Sequence, residues 1–398
     1  MLINEKTWAF IRQHSNDDVR KLALQGAKDQ DVDLTLALQQ IAGRQTARRK
    51  LPIWAETEGI IYPPHLNMEQ CSSEQTACYK ARLIGEGDSF TDLTGGFGVD
   101  FYWMSQGFSR RCYVEQSEVL CSIAESNFRL LTHPCSVCCC DAATYLDAME
   151  RVSVIYLDPA RRDEHGSRTY SIEDCTPNVL ELLPLLMKKA DKTVLKLSPM
   201  LDWRKAVDDI QNQEPTASVH EVHIVSVDNE CKELLLVLTP DKKNAFRLIC
   251  VNDNDVFETA HSGSTICKGL KKSTYNYLFE PNASIMKAGC FAELEERFAV
   301  RQISSNSHLF LSDDEIDDFP GRKFQILAVS SMNKQEIKEK FSKSLEPMER
   351  ANIAVRNFPL TAEQLRKKLK LKDGGNTYLF ATTLADGQHR LFICRKIG

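Results

Sequence analysis

The stretch Asp92-Leu93-Thr94-Gly95-Gly96-Phe97-Gly98-Val99-Asp100 decides how this chain folds. Ser89-Phe90-Thr91 leads into it as a short apolar, β-branched run, the pattern of a buried strand, and a helical stretch follows. The glycines at 95, 96 and 98 make the turn between them. Without a Cβ they let the backbone come close to a ligand, and the start of the next helix favours electronegative groups. Two phosphate-binding loops do not fit: no Gly-Lys-Ser/Thr is present, and the glycine positions break the spacing Gly-x-Gly-x-x-Gly.

Outward from the loop, apolar runs at 111–115, 136–140, 152–157 and 193–197 alternate with helical stretches, the βαβ rhythm of a parallel sheet. The runs 221–227 and 234–238 have only a short polar turn between them, too short for a crossover helix, so the sheet ends in an antiparallel hairpin. The loop itself resembles the acidic-x-x-x-Gly-x-Gly loop of class I S-adenosylmethionine (SAM) methyltransferases. Open α/β sheets bind ligands at the C-terminal ends of their strands, and acidic residues stand at those ends in the order that resemblance implies. Glu115 would accept the ribose hydroxyls, Asp141 would lie at the adenine amine, and Asp158-Pro159-Ala160-Arg161 would face the sulfonium methyl. The bland alternative makes Asp92 and Asp141 helix caps and Glu115 a surface carboxylate.

Further stretches extend the resemblance over most of the chain: Lys50-Leu51-Pro52, residues 69–77, Asp158-Pro159-Ala160-Arg161-Arg162, Lys196-Leu197-Ser198-Pro199, Glu230-Cys231-Lys232-Glu233 and Arg356-Asn357-Phe358-Pro359. With the glycine loop, the chain resembles bacterial class I SAM methyltransferases of the RNA-modifying type that carry a THUMP-like C-terminal domain. The resemblance implies an α/β fold with a Rossmann-like, seven-stranded methyltransferase sheet, SAM as cofactor and RNA, transfer or ribosomal, as partner. In such families the segment before the first strand lies against the SAM carboxylate, which would give Gln70, Ser72, Ser73 and Thr76 a binding role beside Asp92, Thr94, Gly95, Gly96 and Gly98. A polar helix start capped by Ser72 is the other reading of that segment.

The acceptor side departs from the amine-methylating pattern Asp/Asn-Pro-Pro-aromatic. Asp158 and Pro159 are kept, but Ala160 and Arg161 replace the second proline and the ring. An arginine plane stacks on a base or grips phosphate; Arg161 or Arg162 is equally a structural ion-pair partner. Lys196, Ser198 and Pro199, at the end of the fifth strand, are expected to line the same pocket. Residues 163–168 read as a polar loop over the site, with His165 a loop residue and not a base. No cysteine stands beside a base as a nucleophile would, and Cys135 to Cys140 lack the second ligand pair that zinc needs.

Composition supports a folded protein and excludes disordered and fibrous classes: 398 residues, 42% hydrophobic, 26% charged. No apolar run reaches membrane-spanning length and the N-terminal residues lack a leader pattern, so a cytoplasmic protein without membrane or metal is expected. The 14 cysteines, including Cys112, Cys139 and Cys394, are read as reduced core residues. Net charge is −5, unevenly spread: residues 321–398 hold 16 Lys and Arg against 7 Asp and Glu. A helix read at 361–372, signed by a Thr361–Gln364 capping box and closed by Gly374 and Gly375, carries Arg366, Lys367, Lys368 and Lys370. With Arg356 these form the expected RNA-binding surface, or else a solvated helix face. The basic cluster Arg44, Arg48, Arg49, Lys50 reads as a solvated helix end, with a phosphate contact as the alternative. Four segments follow: an N-terminal helical region (1–62), the methyltransferase domain (63–240), a small α+β, ferredoxin-like linker domain (241–325) and a THUMP-like α+β domain (326–398). A small-molecule methyltransferase, or a non-catalytic binding protein on the same scaffold, is the alternative function.

Overall fold

The helical pattern near the N-terminus resolves into α1 (Glu5–Gln13), α2 (Val19–Gln25), α3 (Leu34–Lys50) and α4 (Pro52–Glu56). The strand-like alternation of Val32, Leu34, Leu36 and Leu38 loses to helix because Asp33 caps α3, its carboxylate accepting the Leu36 N–H at 3.0 Å. Pro52 ends α3 and opens α4 in its first turn, where its missing N–H costs nothing. The computed structural model describes residues 3–161, 172–241, 245–260, 270, 274–343 and 349–397. They fall in two compact units, residues 1–221 with 234–244, and residues 222–233 with 245–398.

In the first unit α5 (His65–Gln70) and α6 (Glu74–Ile84) precede β1 (Gly87–Asp92), and α7 (Val99–Met104) follows the glycine loop. The chain continues through β2 (Phe108–Glu115), α8 (Glu118–Leu130), β3 (Ser136–Cys139), α9 (Ala142–Ala148) and β4 (Val152–Leu157). After α10 (Val179–Lys189) come β5 (Ala190–Leu197), α11 (Trp203–Gln213), β6 (Ser218–Val227) and β7 (Glu230–Thr239). The strand order is β3-β2-β1-β4-β5-β7-β6. β1 pairs in parallel with both β2 and β4, Thr91 lying beside Cys112 and Ile155, and β7 runs antiparallel to β5, Val237 opposite Val194. The order reverses at β1, so the crevice that such a switch point opens lies where the glycine loop leaves the sheet. Phe90, Phe101, Phe108, Tyr113 and Phe128 pack under that loop as a buried aromatic cluster.

In the second unit the far half of β6 takes β8 (Arg247–Asn252) beside it, and β9 (Asp255–Ala260) pairs antiparallel to β8. The sequence reading shows neither strand. A second sheet is built from β10 (Tyr277–Pro281), β11 (Arg301–Gln302), β12 (Phe310–Ser312), β13 (Gly321–Ser330), β14 (Asn352–Arg356), β15 (Thr377–Thr383) and β16 (His389–Ile397). Its order is β11-β12-β10-β13-β16-β15-β14; among the described residues the β14–β15 edge is parallel and the other neighbouring pairs are antiparallel. Leu278, Phe324, Phe380, Phe392 and Cys394 form its core. Helices α12 (Ala283–Ala288), α13 (Phe291–Arg297) and α14 (Lys334–Lys343) precede the capping-box helix α15 (Ala362–Leu369), which is shorter than the 361–372 expected: Lys370 takes a left-handed conformation and ends it, not Gly374 and Gly375. Among the described residues no cysteine is in a disulfide; Cys394 is buried and Cys112 half-buried, but Cys139 is exposed, because the edge strand β3 turns it to solvent. Among the described residues no helix is long and apolar enough to cross a membrane.

Candidate functional site

The glycine loop closes on itself: Gly98 N–H donates to Gly95 O at 2.8 Å, and Gly95 N–H donates across to Val114 O at 2.8 Å. Two of its glycines have no substitute. A Cβ on Gly95 would sit 2.1 Å from a Tyr113 ring carbon, and one on Gly98, at φ +88°, would sit 2.7 Å from the Phe128 ring. Tyr113 holds the loop from below, its hydroxyl donating to Gly96 O at 2.5 Å. At the loop's rim Glu115 accepts Gly96 N–H through Oε2 and Ser117 N–H through Oε1, both at 2.9 Å. It is therefore a half-buried anchor of the loop, not a loose surface carboxylate.

Asp92 is buried, its Oδ1 accepting the Thr94 N–H at 2.9 Å, and burial raises its pKa well above the ordinary carboxylate range. Thr94 joins two strand ends: its hydroxyl accepts the Asp158 N–H at 2.7 Å. Asp141 is exposed and caps α9, accepting the Thr144 N–H at 3.0 Å. Ser73, not Ser72, caps α6, accepting the Thr76 N–H at 3.2 Å. Gln70 is exposed at the end of α5.

Ser72 belongs to a buried network that sequence reasoning missed. Its hydroxyl donates to Asp100 Oδ2 at 2.8 Å and accepts from Lys80 Nζ at 3.0 Å. Lys80, with no exposed surface, lies 3.1 Å from Asp100 Oδ1, and the Tyr156 hydroxyl donates to Asp100 Oδ2 at 2.7 Å. Lys196 extends the chain, 3.8 Å from Asp100 Oδ2 and 2.5 Å from Asp158 Oδ2. Burial works to raise the Asp100 pKa, but Lys80 and Lys196 together hold it below the usual carboxylate value. The same burial raises Asp158, opposed by Lys196. A clue existed: Lys80 stands among Thr76, Ala77 and Ile84 on the buried face of α6, where a lysine needs a partner.

Pro159 is buried beside Asp158, and Ala160 and Arg161 form a two-residue ribbon with Cys175 and Thr176. Arg162, the loop 163–168 and His165 lie outside the described residues. Ser198 Oγ accepts the Met200 N–H at 3.3 Å just past β5. The basic cluster ending α3 is only partly solvated: Lys50 donates to Met68 O and Glu69 O, both at 2.8 Å.

In the second unit Arg356 donates to Glu280 Oε1 at 2.7 Å and Arg322 Nε donates to Glu280 Oε2 at 2.7 Å, a buried carboxylate between two half-exposed guanidiniums. Arg366 pairs with Asp373. Lys367, Lys368 and Lys370 are exposed.

Two family models match the second unit: a ferredoxin-like domain over residues 277–320 and a THUMP domain-like domain over residues 321–396. Both contribute strands to one sheet. A provisionally assigned methyltransferase from Porphyromonas gingivalis W83 is 30% identical, with a TM-score of 0.84 and full coverage of both chains. The chain belongs to this family of class I methyltransferase-fold proteins with a THUMP-like C-terminal domain. A provisionally assigned class I SAM-dependent methyltransferase from Listeria monocytogenes is 10% identical at a TM-score of 0.40, over 62% of this chain and 94% of that one. No curated protein matches the chain. Within the family fold, the glycine loop and the Asp158–Lys196 pair lie at the C-terminal edge of neighbouring parallel strands, where the fold places ligands.

Proposed function

We propose that the chain is a SAM-dependent methyltransferase acting on a base of structured RNA, transfer or ribosomal, in the cytoplasm. One observation carries the reading: the glycine loop is seated on Tyr113 and Phe128 so closely that no side chain fits, with Glu115 fixed at its rim. That cradle suits a cofactor whose ribose and amino-acid parts must approach main chain. Each Glu115 oxygen spends one lone pair on a backbone N–H and keeps another for a ribose hydroxyl. Asp92, Thr94, Gly95, Gly96 and Gly98 would line the cofactor, Asp141 would stand at the adenine edge, and Gln70 and Ser72 at the amino-acid end.

SAM supplies an electrophilic methyl group on a sulfonium. What the chain must supply is position, since an in-line displacement needs the acceptor lone pair held close and aligned. Asp158, steadied by Lys196 and by its own N–H on Thr94, offers a carboxylate oxygen to an N–H of the acceptor base. Pro159 stiffens the turn, and Arg161 occupies the sequence position at which amine-methylating relatives carry a ring. The excess of Lys and Arg over residues 321–398 supports an RNA partner, and so does the THUMP-like model.

The test has two arms. Calorimetry on the purified chain should detect SAM or S-adenosylhomocysteine; absence of both removes the cofactor assignment. Mass spectrometry of nucleosides in total RNA, from strains with and without the gene, should then show one methylated nucleoside missing. An unchanged nucleoside profile, with SAM binding intact, moves the reading to a small-molecule methyltransferase.

A further inference from the structure

The first unit holds a second cavity of about 370 Å³, lined by none of the residues of the candidate cofactor site. That volume suits a small ligand. Trp8, Ile11 and Ile60 line it with apolar surface, and Arg12, Arg44 and Glu58 supply its charged groups. The sequence reading set Arg44 in a basic cluster, either a solvated helix end or a phosphate contact. In the structure its guanidinium is anchored by Nε, which donates to Ala55 O at 3.2 Å. Its two terminal nitrogens have no acceptor among the described residues. Arg12 lies 4.0 Å from Glu58 Oε1, beyond hydrogen-bonding distance, and its side chain is 57% exposed. Arg48 follows Arg44 one turn along α3 and is exposed. Among the lining residues two guanidiniums stand against one carboxylate, which leaves the cavity with a net charge of +1.

The polar groups at the cavity's far end are already spent. Gln40 Nε2 donates to Tyr62 O at 2.8 Å, and Tyr62 N–H donates to Gln40 Oε1 at 2.8 Å. The cavity thus offers a ring apolar walls, including one indole, but little with which to tell one base edge from another, and it offers an anion a guanidinium held by its Nε. Aromatic side chains stack on any base, and an arginine fork grips phosphate through paired N–H groups. We propose that this cavity binds a nucleoside monophosphate unit with little base preference, the base against Trp8 and the phosphate on Arg44 and Arg12. The unit comes either from a free nucleotide or from an unstacked nucleotide of RNA; the second source rests on the RNA reading above.

The experiment uses the full chain saturated with S-adenosylhomocysteine, so that the cofactor site is filled, and titrates AMP, GMP, CMP, UMP, the four nucleosides and a uridine pentanucleotide. The four monophosphates should bind within roughly threefold of one another, and the nucleosides at least about tenfold more weakly, the loss expected for one charge-assisted contact. Arg44→Gln should cost about tenfold and leave S-adenosylhomocysteine affinity and the melting temperature unchanged; Arg12→Gln serves as the second variant if Arg44→Gln melts early. Tighter binding of the pentanucleotide identifies RNA as the source, and binding of monophosphates alone identifies free nucleotide; either sustains the site. No binding of any probe, or binding by both arginine variants as tight as that of the native chain, overturns it. Loss of S-adenosylhomocysteine binding by the native chain overturns the methyltransferase reading instead, and the same titrations then run without it.

Discussion

Glu115 shows how one carboxylate fixes a loop and still has capacity for a ligand, since Gly96 N–H and Ser117 N–H take one lone pair from each oxygen. Glu115→Ala removes both the loop anchor and the expected ribose contact, and should weaken S-adenosylhomocysteine by about 1.5 to 3 kcal/mol in calorimetry. Unchanged affinity would remove the ribose assignment. Asp158 makes the opposite prediction. In the proposed function it faces the acceptor, so Asp158→Ala should abolish methyl transfer to RNA from a strain lacking the gene and leave cofactor affinity within about twofold. Equal loss of both would make Asp158 structural. His133 gives a pH test. It is buried, with Nδ1 3.2 Å from Arg111 Nη1 and Nε2 2.7 Å from Ser105 Oγ. Arg111 can only donate, so Nδ1 accepts and Nε2–H donates, which requires a neutral ring. Burial, aided by the Arg111 charge, lowers its pKa to about 4. The unfolded chain takes up that proton near pH 6.5. Between the two values the unfolded state holds more protons, so stability is whole above about pH 6.5 and falls as pH drops toward 4, by at most about 3 kcal/mol. Urea unfolding at pH 7.5 and pH 5 should show this loss, and His133→Gln should shrink the difference between the two pH values.

Among the elements, those with strong local grammar were legible. The strand runs at 152–157 and 193–197 lie within β4 and β5, and the capping box of α15 stands where Thr361 and Gln364 announce it. The end of α15 was not legible, because Leu369, Lys370 and Leu371 continue a helical pattern and nothing local marks Lys370 as left-handed. Candidate site residues could be set at strand ends by rhythm alone, but their partners could not. Asp158 and Lys196 are 38 positions apart, and Glu280 and Arg356 are 76 apart. Only the folded sheets bring them together, and a buried ion pair has no periodicity to read. On α15 the charges divide by use: Arg366 is paired with Asp373, whereas Lys367 and Lys368, with Lys370 just beyond, are exposed. Changing those three lysines to Glu should flatten the salt dependence of RNA affinity, which falls as roughly the −0.7 to −0.9 power of salt per phosphate contacted. Cofactor binding should not move. An unaltered slope would leave the lysines a solubilising role.

At the scale of the molecule, the charge imbalance follows the division into units: the first unit holds the buried network, the glycine loop and the cavity beside Trp8, and the second holds the basic residues of α15. The buried network also has a consequence for synthesis. Lys80 waits on Asp100, Tyr156 on Asp100, and Asp158 on Lys196, so each charge is matched by a residue made later or far earlier. A nascent chain that has emerged only through residue 158 carries Asp158 with no lysine from β5 to meet it. Domains fold largely as units as they leave the ribosome, and here a carboxylate without its counterion resists burial until residue 196 is out. The last charge of the network to arrive is therefore Lys196, and a chain cut short before β5 leaves Asp158 without its counterion.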